Sequence, residues 1–247
     1  MSISDYSFRR MLELEACTSC RICAEVCPAV KATGNGSLSG LYRLTQLRRI
    51  QRSRTVLWRR LFGIKDFGPS EWKEFSQTVF KCTLCGACQE VCPSGIHLKE
   101  LWIETRQDLN HSNYYPEKID MIRENLDESH NVFGEDNEER ADWVEECQEE
   151  PEDKFCKDKA DIVYFTGCVS SFYPLAQQIP VALAEIFQQA NVDFTLLGED
   201  EWCCGFPLLG AGLDELADNF IDHNISSVNQ KGAGTVVFSC PSCYRMW

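Results

Sequence analysis

Fifteen cysteines in 247 residues are the chemistry this sequence puts forward. Eight of them form one phrase written twice, C17TSCRICAEVC27P and C82TLCGACQEVC92P, each C-x2-C-x2-C-x3-C-P and each ending in EVCP. Five more make a second pattern: Cys168, then 34 residues, Cys203–Cys204, then 35 residues, then Cys240-x2-Cys243. Thiols gathered in this way serve as disulfides, as zinc ligands or as iron–sulfur ligands. No apolar leader follows the start MSISDYSFRRMLELEAC, and no run nears the roughly 18 apolar residues of a membrane span. The expectation is a cytoplasmic protein, where reducing conditions disfavour structural disulfides and clustered thiols hold metal or do redox work.

The repeated phrase resembles the cluster-binding run of bacterial two-cluster ferredoxins. In those proteins the C-x2-C-x2-C loop wraps three thiolates round one [4Fe–4S] cubane, and the fourth cysteine, followed by proline, serves the other cluster. Carried onto this chain, the resemblance implies one cubane on Cys17, Cys20, Cys23 and Cys92, and a second on Cys82, Cys85, Cys88 and Cys27. The proline biases the residue before it away from helix and so separates the wrapping loop from the next element. Zinc is the alternative. Its tetrahedral sites use two C-x2-4-C pairs, and a third cysteine at x2 followed by C-P is not their habit.

The downstream spacing, with MLELEACTSCRIC, ADIVYFTGC and LGEDEWCCG, resembles the heterodisulfide reductase superfamily. The pairing of a ferredoxin-like domain with a cysteine-rich "CCG" domain looks like the D-type subunit of heterodisulfide reductase and the related DsrK protein. That resemblance implies a non-cubane [4Fe–4S] cluster on Cys168, Cys203, Cys204, Cys240 and Cys243, placed where a disulfide is cleaved, with these five as catalytic residues. A redox disulfide at Cys203, or zinc on four of the five, is the other way to use the same thiols. The D-type family carries two CCG segments, whereas this sequence stops at CPSCYRMW after one. The expectation is a fragment, or a domain completed by another chain.

These thiols need elements to hold them. Residues 1–110 read as a mostly helical domain with two [4Fe–4S] sites. SFRRMLELEA offers an apolar face through Phe8, Met11, Leu12 and Leu14 and leads into Cys17; PSEWKEFSQTVF, started by Pro69 and Ser70, leads into Cys82. GIHLKELWIETRQDL follows the second phrase with Ile96, Leu98, Leu101, Trp102 and Leu109 free to pack, and KATGNGSLSGLY reads as a loop. Leu41, Leu44, Leu47, Ile50 and Leu57 lie on helical spacing within a stretch of seven arginines from Arg43 to Arg60. Its charged face is read as solvated, or as set against a partner subunit or an anionic membrane surface.

From residue 159 the pattern becomes α/β: strands at DIVYFTGC, VDFTLLG and TVVFSC alternate with helices at PLAQQIPVALAEIFQQA and LDELADNFIDHNISSVNQKG. Pro180 either kinks the first of these helices or marks its start, and Gly232 closes the second. Such alternation predicts a parallel sheet, and α+β overall. All five downstream cysteines follow the carboxyl end of a predicted strand, where ligands collect in open α/β sheets. Trp202 and Phe206 flank the adjacent pair and could shield a cluster from water.

The net charge is −14, and from Glu117 to Asp158 there are 17 acidic residues against 5 basic ones. Residues 111–158 therefore read as a solvated acidic connector between the ferredoxin-like domain and a cysteine-rich domain at 159–247. Cys147 and Cys156 lie there and fit neither cysteine pattern; both are read as thiols outside any cluster. His97 and His223 read as packing or surface residues. Overall acidity without a reading motif argues against nucleic acid, and no Gly-rich dinucleotide fingerprint is present, so flavin or nicotinamide would belong to a partner.

Two functions follow from the resemblance. One is a redox enzyme subunit that relays electrons through two cubanes to the CCG site, reducing a disulfide or trisulfide such as the coenzyme M–coenzyme B heterodisulfide or a DsrC-like protein. The other is a non-catalytic relay between a flavin dehydrogenase and a quinone, as in glycolate and glycerol-3-phosphate dehydrogenases. Either implies other redox subunits, a membrane cytochrome b-type subunit or a flavoprotein, with any membrane association peripheral and through that partner.

Overall fold

Leu44, Leu47 and Ile50 fall on one stripe of a helix, and all three are buried. The computed structural model describes residues 7–54, 61–63, 65–149 and 151–247. It divides into two compact units, residues 1–117 with 210–212 and residues 118–209 with 213–247. Leu57 lies outside the described residues.

In the first unit, α1 (Phe8–Ala16), α4 (Gly40–Arg54), α5 (Pro69–Phe80) and α7 (Leu98–His111) supply the core. α5 begins with Pro69 at its first position, and Glu71 reaches back to accept a hydrogen bond from the Gly68 amide at 2.9 Å. That contact satisfies one donor the helix leaves open. Leu14, Leu44, Leu47, Phe75, Val79, Ile96, Leu98, Leu101, Trp102 and Leu109 close round one another; a fully buried side chain of this size contributes about 1.5–3 kcal/mol of hydrophobic free energy. Five of the repeat cysteines, Cys17, Cys23, Cys82, Cys88 and Cys92, pack against this core.

Three expectations for this unit are corrected. Of the apolar residues on α1 only Leu14 is buried, while Phe8, Met11 and Leu12 are exposed. The contact of α1 with α7 is ionic instead: Arg10 bonds Glu104 at 2.6 Å, and Glu13 meets His97 Nδ1 at 2.9 Å. Four arginines of α4 find partners within the chain, while Arg59 and Arg60 lie outside the described residues. Arg43 is buried and donates to the Leu38 and Thr78 carbonyls, Arg48 donates to those of Leu14, Glu15 and Cys17, and Arg49 and Arg52 pair with Glu71 and Glu15. The stretch read as a loop is also partly helical: Pro28–Thr33 forms α3, closed by Gly34 at φ 70°.

The second unit is built on a three-stranded parallel sheet in the order β2-β1-β3. β1 (Ile162–Phe165) pairs Ile162 with Phe194 of β2 (Phe194–Thr195) and with Thr235 of β3 (Thr235–Phe238). Because side chains alternate along a strand, Tyr164 enters a core with Trp143, Phe155, Ala184 and Phe194, while Val163 and Phe165 enter another with Leu197, Cys204, Val228 and Cys243. α10 (Gln178–Gln189) contributes Ala184 to the first core and α12 (Asp214–Gln230) contributes Val228 to the second. Pro180 sits in the first turn of α10, where a missing amide costs little.

The acidic stretch is no solvated connector. Lys118–Ser129 is a helix, α8, that buries Ile119 and Leu126, and Asn137–Glu146 winds through 3₁₀ turns that bury Arg140, Ala141, Trp143 and Val144. The acidic side chains outnumber the apolar ones, but the apolar ones recur at helical intervals and are enough to dock both segments on the sheet unit. No described helix is long and apolar enough to cross a membrane.

Candidate iron–sulfur sites

Each copy of the repeated phrase bends at the same two places. The residues flanking the second cysteine take left-handed backbone, Ser19 (φ 59°) and Arg21 (φ 70°) in the first copy, Leu84 (φ 54°) and Gly86 (φ 80°) in the second. Three of these four are not glycine, so the conformation is held against its intrinsic cost. A single helical turn follows, α2 (Ile22–Glu25) or α6 (Ala87–Glu90), carrying the third cysteine. An arginine grips the carbonyl of each first cysteine: Arg48 donates to Cys17 O at 2.8 Å and Arg106 to Cys82 O at 2.5 Å. Arg106 is buried, which pushes its pKa down to about 10, and it also donates to the Val79 and Phe80 carbonyls.

Two cavities lie beside these loops. One is lined by Cys17, Cys20, Cys23 and Cys92, the other by Cys27, Cys82, Cys85 and Cys88. The fourth cysteine of each phrase thus faces the triplet of the other. Four thiolates on a zinc ion converge on one point at about 2.3 Å. Thiols ringing a cavity suit the wider spacing of a cluster.

Two of these thiols favour the protonated form. Burial, then the neighbouring Cys17, raises Cys23, and burial raises Cys88 to about 11 against the influence of Trp102. The Trp102 indole N–H is buried with no hydrogen-bond partner, on the wall of the cavity that Cys88 also lines. The Ser19 amide donates to the Cys17 sulfur at 3.4 Å. Amide and indole donors aimed at sulfur are what iron-bound thiolates use to tune their potential.

In the second unit, Cys168 follows β1 at the start of α9 (Cys168–Phe172), Cys203 and Cys204 follow β2 after the 3₁₀ turn Gly198–Asp200, and Cys240 and Cys243 follow β3 around the start of α13 (Pro241–Met246). Cys168 and Cys203 are buried in one core, Cys204 and Cys243 in another with Cys240 packed against it, and the adjacent Cys203 and Cys204 join the two. Gly167 makes this approach possible. Its φ is 80°, and a Cβ there would stand 3.0 Å from Cys243 Sγ.

Crowding divides the protons among these sulfurs. Hydrogen bonds from Cys203 and Cys243 hold Cys204 below the usual thiol range, and Cys203, helped by Arg140 and the Val132 amide, lowers Cys168. Cys203 and Cys243 are raised as the donors in those contacts. A buried set of thiols with amide and guanidinium donors fits an iron–sulfur group, which would displace the remaining protons.

The backbone carrying Cys203 is strapped on both sides. Asn224 accepts from the Trp202 amide and donates to the Trp202 and Cys203 carbonyls, while the Cys203 amide donates to His130 O at 2.8 Å. Trp202 is sandwiched between the rings of His130 (3.8 Å, 5° between planes) and His223 (3.6 Å, 11°). Phe206 is exposed and is no shield. Cys147 and Cys156 fall in a separate apolar core.

Sequence reasoning missed Arg140 and Glu201. The pair is buried with an Nη1–Oε1 distance of 2.9 Å, and Arg140 Nη2 lies 3.9 Å from Cys168 Sγ. The available signal was a lone arginine beside Ala141, Trp143 and Val144 in an otherwise acidic run.

Family comparisons agree with this geometry. Residues 13–96 match the 4Fe-4S dicluster domain and residues 162–247 the cysteine-rich domain. Over 96% of its length the chain is 34% identical to the D-type subunit of the dihydromethanophenazine:CoB–CoM heterodisulfide reductase of Methanosarcina mazei, and equally to that of Methanosarcina barkeri. The chain pairs these two domains in the same order along its length and is similar to the D-type subunits of heterodisulfide reductase. It spans 57% of the length of those two relatives. It is also 26% identical, over 98% of its length and 37% of the relative's, to an EtfAB:quinone oxidoreductase of Syntrophomonas wolfei. No solved structure matches it.

Proposed function

We propose that this chain is the iron–sulfur subunit of a disulfide reductase-like complex, with two [4Fe–4S] cubanes in the first unit and a third, non-cubane [4Fe–4S] cluster in the second. One cubane is held by Cys17, Cys20, Cys23 and Cys92, the other by Cys82, Cys85, Cys88 and Cys27, and the third cluster by Cys168, Cys203, Cys204, Cys240 and Cys243. When bound, these clusters carry electrons singly toward the cysteine-rich site, where two electrons and two protons convert a disulfide R–S–S–R into two thiols.

The chain's own residues do the rest. The arginines on Cys17 O and Cys82 O fix the wrapping loops, and the apolar core packs against one side of the cavities. At the cysteine-rich site the three strand ends bring together thiols remote in sequence. That convergence of Cys168, Cys203, Cys204 and Cys243, buried in adjoining cores at the strand ends, is the observation that carries the proposal. The substrate class is a disulfide or trisulfide, as in a heterodisulfide of two thiol coenzymes or a DsrC-like protein. The donor is a flavoprotein or a membrane cytochrome b-type subunit. The similarity to a quinone oxidoreductase supports a second reading, a relay from a flavin dehydrogenase to a quinone.

Adding a candidate thiol to the oxidised complex, purified without oxygen together with its accompanying subunits, distinguishes the two. A new paramagnetic signal that broadens with ⁵⁷Fe and with ³³S-labelled thiol supports disulfide chemistry at the third cluster. No response, with all clusters present, favours the relay.

A further inference from the structure

Arg140 is one of the five basic residues among the acids from Glu117 to Asp158, yet it is buried, with 2% of its surface exposed. Burying a guanidinium is costly unless its donors are used. Here they are. Nε and Nη2 donate to Asn137 Oδ1 at 3.1 and 2.9 Å, Nη1 donates to Glu201 Oε1 at 2.9 Å, and Nη2 reaches the Cys168 sulfur at 3.9 Å. The guanidinium also lies over the Phe172 ring, 5.1 Å from its centroid.

Glu201 is equally committed. Its Oε2 accepts from the Thr166 amide at 2.9 Å and its Oε1 from the Gly167 amide at 2.7 Å. These are the two residues that deliver Cys168 from the end of β1. One ion pair therefore fixes the turn that presents a thiol and leaves a positive charge against that thiol in a site closed to water. Charge in such a site acts at low effective dielectric and is poorly screened.

We infer that Arg140, oriented by Glu201 and Asn137, is a positioning residue that sets the reduction potential of the cysteine-rich iron–sulfur site by placing a buried positive charge on Cys168. The inference rests on the third cluster of the proposed function. Each electron added to a cluster makes it more negative, so a fixed cation favours the reduced form and raises the potential; a fixed anion lowers it. Arg140 and Glu201 then act with opposite sign, although they share one hydrogen-bond network. A purely structural pair gives no such opposition.

The test is an EPR-monitored redox titration of the anaerobically purified complex, with iron content and melting temperature measured alongside. Arg140→Met is expected to lower the midpoint potential of the third cluster, and Glu201→Gln to raise it. Arg140→Lys, which keeps the charge without the fork, is expected to stay nearer the wild type than Arg140→Met, and both cubane potentials remain fixed as internal references. Unchanged potentials, or shifts of the same sign in Arg140→Met and Glu201→Gln with iron retained, overturn the inference. If Arg140→Met loses iron, Arg140→Lys and Glu201→Gln decide: a Glu201→Gln potential at or below the wild type overturns it. Absence of a third cluster signal from the wild type itself contradicts the proposed function, a different result from a third cluster indifferent to Arg140.

Discussion

Cys27 and Cys92, each the last cysteine of its own phrase, have exchanged places: Cys92 lines the cavity of Cys17, Cys20 and Cys23, and Cys27 that of Cys82, Cys85 and Cys88. Two halves of the first unit thus depend on each other for a complete ring of sulfur. Substitutions should reveal that dependence through their combinations. Cys92→Ser with Cys23→Ser is expected to cost one cubane, whereas Cys92→Ser with Cys88→Ser costs both, counted by Mössbauer spectroscopy of ⁵⁷Fe-grown protein. Uncrossed wiring reverses the two results.

Trp102 and Cys88 make a prediction about potential. The indole N–H is buried with no partner of its own beside Cys88, which leaves a donor for a cluster sulfur. Trp102→Phe keeps most of the ring volume and removes the donor, so the cubane on the Cys88 triplet should drop in midpoint potential while the one on the Cys17 triplet holds. Equal shifts in both would point to altered packing.

Gly167→Ala should damage the cysteine-rich site. The backbone sits at φ 80°, and the new methyl would meet Cys243 Sγ at 3.0 Å. Holding a non-glycine residue in such a region costs about 1–3 kcal/mol, before any displacement of Cys243. The expected outcome is a lower melting temperature and loss of iron from the third cluster with both cubanes intact.

His130 gives a pH dependence. Burial, then the neighbouring His223 and Arg140, lowers its pKa below 6.5. The folded protein therefore prefers the neutral ring, and the unfolded chain binds the extra proton first. Stability from the ring stack is fully present above about pH 6.5 and is lost as pH falls through the depressed value. Melting temperatures of the cluster-loaded protein should decline over that window, and His130→Gln should flatten this part of the decline.

Much of this was readable in the residues. The repeat, the strand ends and the helix packing of Ile96, Leu98, Leu101, Trp102 and Leu109 follow from spacing alone, because period and turn residues are local properties. The acidic segment misled because composition outvoted position: Trp143 and Val144 are few among the carboxylates, yet both are buried. Trp143→Ala should cost about 3–5 kcal/mol if that segment is core, against almost nothing for a solvated linker, as read by thermal or denaturant unfolding. Arg140 was hidden for a related reason, since its partner Glu201 is 61 residues away and pairing at that distance leaves no local trace. The exposed Phe8, Met11 and Leu12 of α1 show the converse, an apolar stripe that the ion pairs of Arg10 and Glu13 turn away from the core.

The central claim is that the thirteen patterned thiols hold three iron–sulfur clusters. Metal analysis with Mössbauer spectroscopy on protein purified without oxygen tests it most directly. The account predicts about twelve iron atoms per chain, three sets of four, with one set spectroscopically unlike the other two; about eight iron atoms in two identical sets, or zinc in place of iron, would contradict it.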